Sequence, residues 1–111
     1  MRKLAIGILA FSLALPLAAA TWKNTPLMDA DCAGEQSKLD NPDAHTRHCA
    51  LKCADSGYGI VVDKKFVKFD AKGDELAKAA LDKSDKKDHL RVTVDGEMKG
   101  DTINVSTLTL E

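Results

Sequence analysis

The order of β-rich and helical segments constrains the fold of this chain more than any other feature of its sequence. Five strand-like segments are separated by turn-forming residues, and the clearest helical segment lies between the third and the fourth. This order, β-α-β-β-α-β-β, is typical of a small OB-like five-stranded barrel that is mainly β with two helices. The predicted elements are a strand over 26–32, a loop over 34–42, a short helix over about 44–55, a hairpin over 58–62 and 66–70, a helix over 74–83, and strands over 89–94 and 103–110.

The last two strands carry a further local signal. Gly100 and Asp101 form a tight-turn pair between them. The apolar alternation slips between Val105 and Leu108, because two polar residues intervene instead of one. This slip predicts a β-bulge in the final strand.

The first twenty residues have the pattern of a secretory signal peptide. Two basic residues near the start precede an apolar run over 4–17, and three alanines precede the expected cleavage site after Ala20. The apolar run is shorter than the roughly 20 residues that a membrane-spanning helix needs. We therefore expect a periplasmic or secreted protein with a single domain over 21–111, which is not membrane-embedded after the signal is cleaved.

The charge of the expected mature chain bears on its partners. Removal of Arg2 and Lys3 leaves 14 basic residues against 17 acidic ones, a formal net charge of −3. Nucleic-acid binding depends on a basic surface, so this charge argues against a nucleic-acid partner.

Cysteine and histidine residues concentrate in one segment and its upstream flank. The candidate metal ligands are Cys32, His45, Cys49 and Cys53, with His48 as a substitute for His45. Thiolate and imidazole are ligands that zinc prefers, and thiolate also suits copper(I). The spacing Cys-x12-His-x3-Cys-x3-Cys differs from the paired Cys-x2-Cys spacing of zinc ribbons.

Helix geometry limits which of these residues can share one ion. His45, Cys49 and Cys53 are spaced by four and would lie on one helix face, but the outer two are about 12 Å apart along a continuous helix. Metal–ligand bonds are only about 2.0–2.3 Å long. Either the helix begins at Thr46 and His45 folds back, or only a neighbouring pair binds, such as Cys49 and Cys53 together with Cys32.

Two alternatives compete with a metal site. In an oxidising compartment Cys32 can pair with Cys49 or with Cys53, which leaves one thiol over. Thiol redox chemistry is the third hypothesis, because His48 directly precedes Cys49 and a neighbouring protonated histidine acidifies a thiol. The Cys-x3-Cys spacing and the lack of a βαβ pattern make this class weaker, and no third member of a catalytic triad is recognisable.

The same segment carries a resemblance. Its motif is His45-x3-Cys49-Ala50-x2-Cys53-Ala54-x-Ser56-Gly57-Tyr58-Gly59, and two further motifs are Lys65-Phe66-x-Lys68-Phe69-Asp70 and Val92-x-Val94-x-Gly96. Together these motifs resemble a family of small exported bacterial proteins of uncharacterised function. The resemblance covers most of 31–110. It also extends, more loosely, to exported OB-like domains with a His-x2-Cys-Ala-x2-Cys segment, from which this chain departs by one residue before Cys49. The resemblance implies export and marks this segment as the functional site, and it implies no mechanism.

These observations favour a non-catalytic exported domain that binds copper or zinc through its Cys/His cluster. The alternative is a disulfide-stabilised module of the cell envelope that recognises a protein or another ligand without metal. Convergence of the three sulfur atoms within metal-bridging distance favours the metal hypothesis. One bonded sulfur pair with a remote third thiol favours the alternative.

Overall fold

Apolar side chains from all five strands fill the core of a closed barrel. The computed structural model describes residues 19–111. The strands are β1 (Ala19–Asp29), β2 (Tyr58–Val62), β3 (Lys65–Phe69), β4 (Arg91–Lys99) and β5 (Thr102–Leu110). They close in the order β1-β2-β3-β5-β4, with β4 paired back to β1. All pairs are antiparallel except the short parallel seam between β3 and β5. The predicted small OB-like barrel is confirmed.

Three α-helices and three short 3-10 turns connect the strands. The helices are α1 (Gln36–Asp40), α2 (Arg47–Lys52) and α3 (Ala71–Lys83), and the turns are Cys32–Gly34, Pro42–Ala44 and Ala54–Ser56. α3 confirms the predicted helix and begins three residues earlier, because Asp70 caps it by accepting a 3.0 Å hydrogen bond from the Gly73 amide.

The connection between β1 and β2 departs from the prediction in two places. The segment over 34–42, expected to be a loop, contains α1, because Leu39 is buried against Met28 and Val61. This burial outweighs the turn-forming composition of its neighbours. The single helix expected over 44–55 is also wrong, because only α2 is α-helical within it. His45 is extended there, with φ −67° and ψ 133°.

β1 is longer at its start than predicted and ends earlier. It runs from Ala19 to Asp29 because its first half pairs with β4, an arrangement that the polar residues after Ala20 did not signal. Ala19 and Ala20 are exposed and pair with Glu97 and Gly96. The rest of the expected signal peptide, residues 1–18, lies outside the described residues. No helix within 19–111 is long and apolar enough to cross a membrane.

The bulge predicted in the final strand is confirmed. Asp95 pairs with Thr107 and Gly96 with Val105, so Ser106 is the extra residue on β5. The backbones approach closely where the register breaks, since a Cβ on Gly96 would collide with the Asn104 carbonyl oxygen of β5. Gly100 turns the chain between β4 and β5 with a φ of +64°.

Tyr58 links the barrel to α2. It is 1% exposed, and its hydroxyl donates a 2.7 Å hydrogen bond to the Ala50 carbonyl. Burial, reinforced by the carboxylates of Asp29, Asp82 and Asp74, raises the pKa of Tyr58 to about 12. The ionised phenolate is therefore disfavoured in the folded protein.

Because the folded-state pKa of Tyr58 lies above its ordinary value of 10, the stability that this raised pKa contributes is complete below about pH 10 and is lost as the pH rises toward 12. Tyr58 is the only tyrosine, so the ultraviolet absorbance of tyrosinate reports on it alone. We expect this signal to appear near pH 12, together with unfolding. Tyr58→Phe should remove the alkaline loss and lower the neutral-pH free energy of unfolding by about 1 kcal/mol. Titration near pH 10 in the folded protein would contradict the assignment.

Candidate metal centre

Asp29 is a fully buried carboxylate at the end of β1. It is paired with Tyr58 of β2 and has an exposed fraction of 0%. Its Oδ2 accepts a 2.9 Å hydrogen bond from the amide of Cys32. This bond folds the chain back immediately after the strand, and it brings the Cys32 thiol beside the carboxylate.

His45 reaches the same place from the other end of the connection. Thr46 is the N-cap of α2, and its hydroxyl accepts a 3.1 Å hydrogen bond from the Cys49 amide. The helix therefore begins after His45, whose extended backbone turns its side chain inward to 7% residue exposure. Of the two geometries left open by the sequence, the structure has the one in which His45 folds back outside the helix.

A bidentate ion pair anchors the turn that precedes His45. Nε and Nη2 of Arg91 on β4 donate hydrogen bonds of 3.0 and 2.8 Å to the two carboxylate oxygens of Asp43. The Asp43 carbonyl also accepts a 3.0 Å hydrogen bond from the His89 amide. Forked arginine–carboxylate pairs fix orientation as well as distance, so this pair holds the approach to His45 against the barrel.

The side chains of Asp29, Cys32 and His45 converge at one point. Their ligand atoms all lie within 4.8 Å of one another. Nε2 of His45 and Oδ1 of Asp29 are 2.7 Å apart, with side-chain exposures of 3% and 0%. Despite this distance the two atoms do not meet in a well-directed hydrogen bond, and neither has another partner within 19–111. Buried polar atoms without a hydrogen-bond partner need an explanation, and a bound water or ion is one that the chemistry of these side chains allows.

The surroundings of Asp29 and Cys32 shift the pKa values of their side chains in opposite directions. Burial alone would raise the pKa of Asp29, but the imidazole of His45 and the Cys32 amide outweigh it and hold the pKa below its usual value. Burial first, and the Asp29 carboxylate second, raise the pKa of the Cys32 thiol to about 11. Without a metal ion, the centre at neutral pH therefore has an ionised carboxylate beside a protonated thiol.

The remaining candidate ligands lie nearby but outside this converging group. Cys49 and His45 both line a cavity of about 190 Å³, together with Lys38 of α1. Cys53 ends α2, and burial together with the carboxylates of Asp29 and Asp31 raises the pKa of its thiol. His48, the predicted substitute ligand, is exposed and lines a different groove.

Cys32, Cys49 and Cys53 are all free thiols, so the disulfide of Cys32 with Cys49 or Cys53 is absent from the structure. Among the described residues, Cys32 is the one cysteine in the converging group, so the predicted convergence of three sulfur atoms is not seen.

Asp29 is the one member of the group that we did not identify from the sequence. Its signal is its position, because it directly follows the apolar run Pro26-Leu27-Met28 at the end of a strand. A carboxylate there either faces solvent or is buried with partners, and the sequence does not distinguish the two.

No protein-family model, curated protein or solved structure matched this chain.

The position of His45 depends on where α2 begins, and Thr46 sets that boundary. We expect Thr46→Ala to lower the free energy of unfolding by about 1 kcal/mol, because the Cys49 amide loses its cap. Thr46→Ser keeps an accepting hydroxyl and is the matched control. Urea unfolding of the three proteins makes the comparison. An equal decrease in the free energy of unfolding in both variants would show that Thr46 does not stabilise the protein through the cap.

Proposed function

We propose that this protein is a non-catalytic metal-binding domain whose centre is Asp29, Cys32 and His45. The observation that carries the proposal is that the ligand atoms of these three residues converge within 4.8 Å, with Nε2 of His45 and Oδ1 of Asp29 buried and without a hydrogen-bond partner among the described residues. An ion bound there would satisfy both atoms.

The donor set favours zinc over copper(I). Carboxylate oxygen, imidazole nitrogen and thiolate sulfur are all ordinary zinc ligands, at distances of about 2.0–2.3 Å. Copper(I) selects soft sulfur donors and has little preference for a carboxylate. Asp29, which was not among the ligands predicted from the sequence, therefore shifts the choice between the two metals toward zinc.

Cys49 is the natural fourth ligand. Structural zinc sites are almost always tetrahedral, and the converging group supplies three donors. The cavity shared by His45 and Cys49 leaves the Cys49 thiol room to turn toward the ion. Cys53 remains the substitute, because its thiol is also under the influence of Asp29.

The same electrostatics weigh against Cys32 and Cys53 as redox thiols. Reactive redox thiols have a pKa below the ordinary value, so that the thiolate is present near neutral pH. The pKa values of Cys32 and Cys53 are both raised. A bound cation reverses this tendency, because coordination deprotonates a thiol directly.

The metal hypothesis is tested on protein purified without chelator and then stripped under reducing conditions. We expect about one equivalent of zinc to bind, and cobalt substituted for zinc to show thiolate-to-metal charge transfer. Asp29→Asn, Cys32→Ser and His45→Gln should each weaken zinc binding at least about tenfold, because loss of a group that merely orients a metal ligand already costs that much. Loss of Cys32 should also remove charge-transfer intensity.

His48→Gln is the matched control, since it makes the same substitution in the same segment at an exposed histidine. It should leave zinc affinity unchanged. Zinc at about one hundred times its dissociation constant should raise the free energy of unfolding of the wild-type protein by about 2.7 kcal/mol. No bound zinc, with two of the three thiols protected as a disulfide in protein from its native compartment, would favour the envelope-module alternative instead.

We also propose that the protein is exported to the periplasm or secreted, with residues 1–20 removed. The support is the basic start, the short apolar run and the alanines before Thr21. Removal of Ala19 and Ala20 deletes only two exposed residues from the end of β1, so the barrel tolerates the cut.

The mature protein is therefore expected to begin at Thr21. Intact-mass measurement on protein recovered from outside the cytoplasm checks this start directly. A chain that retains residues 1–20 in that fraction would contradict cleavage, and a chain found only in the cytoplasm would contradict export.

A further inference from the structure

A cationic groove of about 940 Å³ runs along the side of α2 that faces away from the metal centre. It lies between α2 and the segment that links α3 to β4. Its basic side chains are Arg47, His48, Lys52, Lys86 and Lys87. Leu51 is the one large apolar side chain in the lining, and Asp85 is the one acidic side chain among the described residues that line it.

The walls of this groove are held together by hydrogen bonds. The Arg47 amide donates to the Lys87 carbonyl at 2.9 Å, and Nε of Arg47 donates to the Leu81 carbonyl at 2.9 Å. On the opposite wall, Nζ of Lys86 donates to the Glu111 carbonyl at 3.0 Å. The groove therefore has a fixed shape that does not need a ligand to form.

Other cations of the groove remain available for a ligand. Lys52 and Lys87 are both exposed, and neither belongs to an ion pair within the described part of the chain. The terminal nitrogens of the Arg47 guanidinium are likewise left over after its Nε is used.

The groove also contrasts with the charge of the whole molecule. The expected mature chain has a formal net charge of −3, yet four Lys and Arg side chains face one Asp here. A concentrated positive surface on an acidic protein attracts anionic ligands to one place and repels them elsewhere. Such complementarity mainly sets the association rate and the specificity of a complex.

We propose that this groove docks an extended acidic segment of a protein partner. Its volume is at the upper end of the range that holds drug-sized ligands, so it has room for several residues of a chain. Leu51 offers an apolar contact for one side chain, while the surrounding ammonium groups pair with carboxylates. The five basic residues are exposed or half-buried, so they do not form the enclosed, convergent site that a single small oxyanion would need.

Docking there is separate from metal binding. On α2 the groove residues Arg47 and Leu51 lie on the opposite side from Cys49. Thr46 lines both the groove and the cavity beside His45 and Cys49, so the two sites adjoin at the start of the helix. A partner segment in the groove would leave the Cys49 side of α2 uncovered.

The test is fluorescence anisotropy of the full mature protein with a labelled peptide in which leucine is flanked by runs of glutamate. We expect saturable binding that weakens as salt rises, and no binding of the same peptide with glutamine in place of glutamate. Lys52→Gln combined with Lys87→Gln should weaken binding about tenfold. Lys72→Gln combined with Lys99→Gln changes the net charge equally at exposed positions outside the groove, and should change affinity less than about twofold.

Unfolding curves first establish that both double variants are folded. Equal weakening of peptide binding by the two double variants would overturn the proposal, because net charge alone would then account for the effect. Absence of peptide binding would overturn it as well, including the case in which polyphosphate or vesicles of anionic phospholipid bind instead. Stripping the zinc should leave peptide affinity unchanged, so failure of the metal centre and failure of the groove are distinguishable.

Discussion

The buried carboxylate of Asp29 is the constraint on which the rest of the centre depends. A charged group removed from water is stable only when other groups replace its hydration. The amide of Cys32 donates a hydrogen bond to one carboxylate oxygen, and the imidazole of His45 lies 2.7 Å from the other without a directed hydrogen bond. Both partners belong to the connection between β1 and β2, so that connection folds back over the strand end instead of extending into solvent. The cap of α2 and the Asp43–Arg91 ion pair both hold the connection in this folded-back position.

The barrel itself could be predicted from the sequence, because its signals are local. Val92 and Val94 alternate toward the core, as do Ile103 and Val105, and such alternation is typical of strands with one buried face. The helix α3 follows from its apolar stripe, and the position of the bulge from the slipped spacing before Leu108. Each of these features depends on residues only a few positions apart, so a single sequence contains all the information needed to predict it.

The candidate metal centre could be predicted only in part, because burial in the folded protein decides which residues belong to it. Cys32 and His45 carry side chains that are unusual enough to attract notice wherever they lie. Asp29 is one of many acidic residues, and only the pairing of β1 with β2 makes it the buried one. Burial of Leu39 against Met28 and Val61 orders α1, which local sequence preference did not predict.

The chain's own contacts hold Asp29, Cys32 and His45 in place, through the main-chain amide at Cys32 and the cap that starts α2 after His45. Small zinc-finger domains lack such support and fold only when the ion binds. If the proposed ion binds here, the preformed barrel can release it and take up another without refolding. Occupancy would then follow the free metal concentration around the protein, as it does in a metal buffer and not in a permanent structural site.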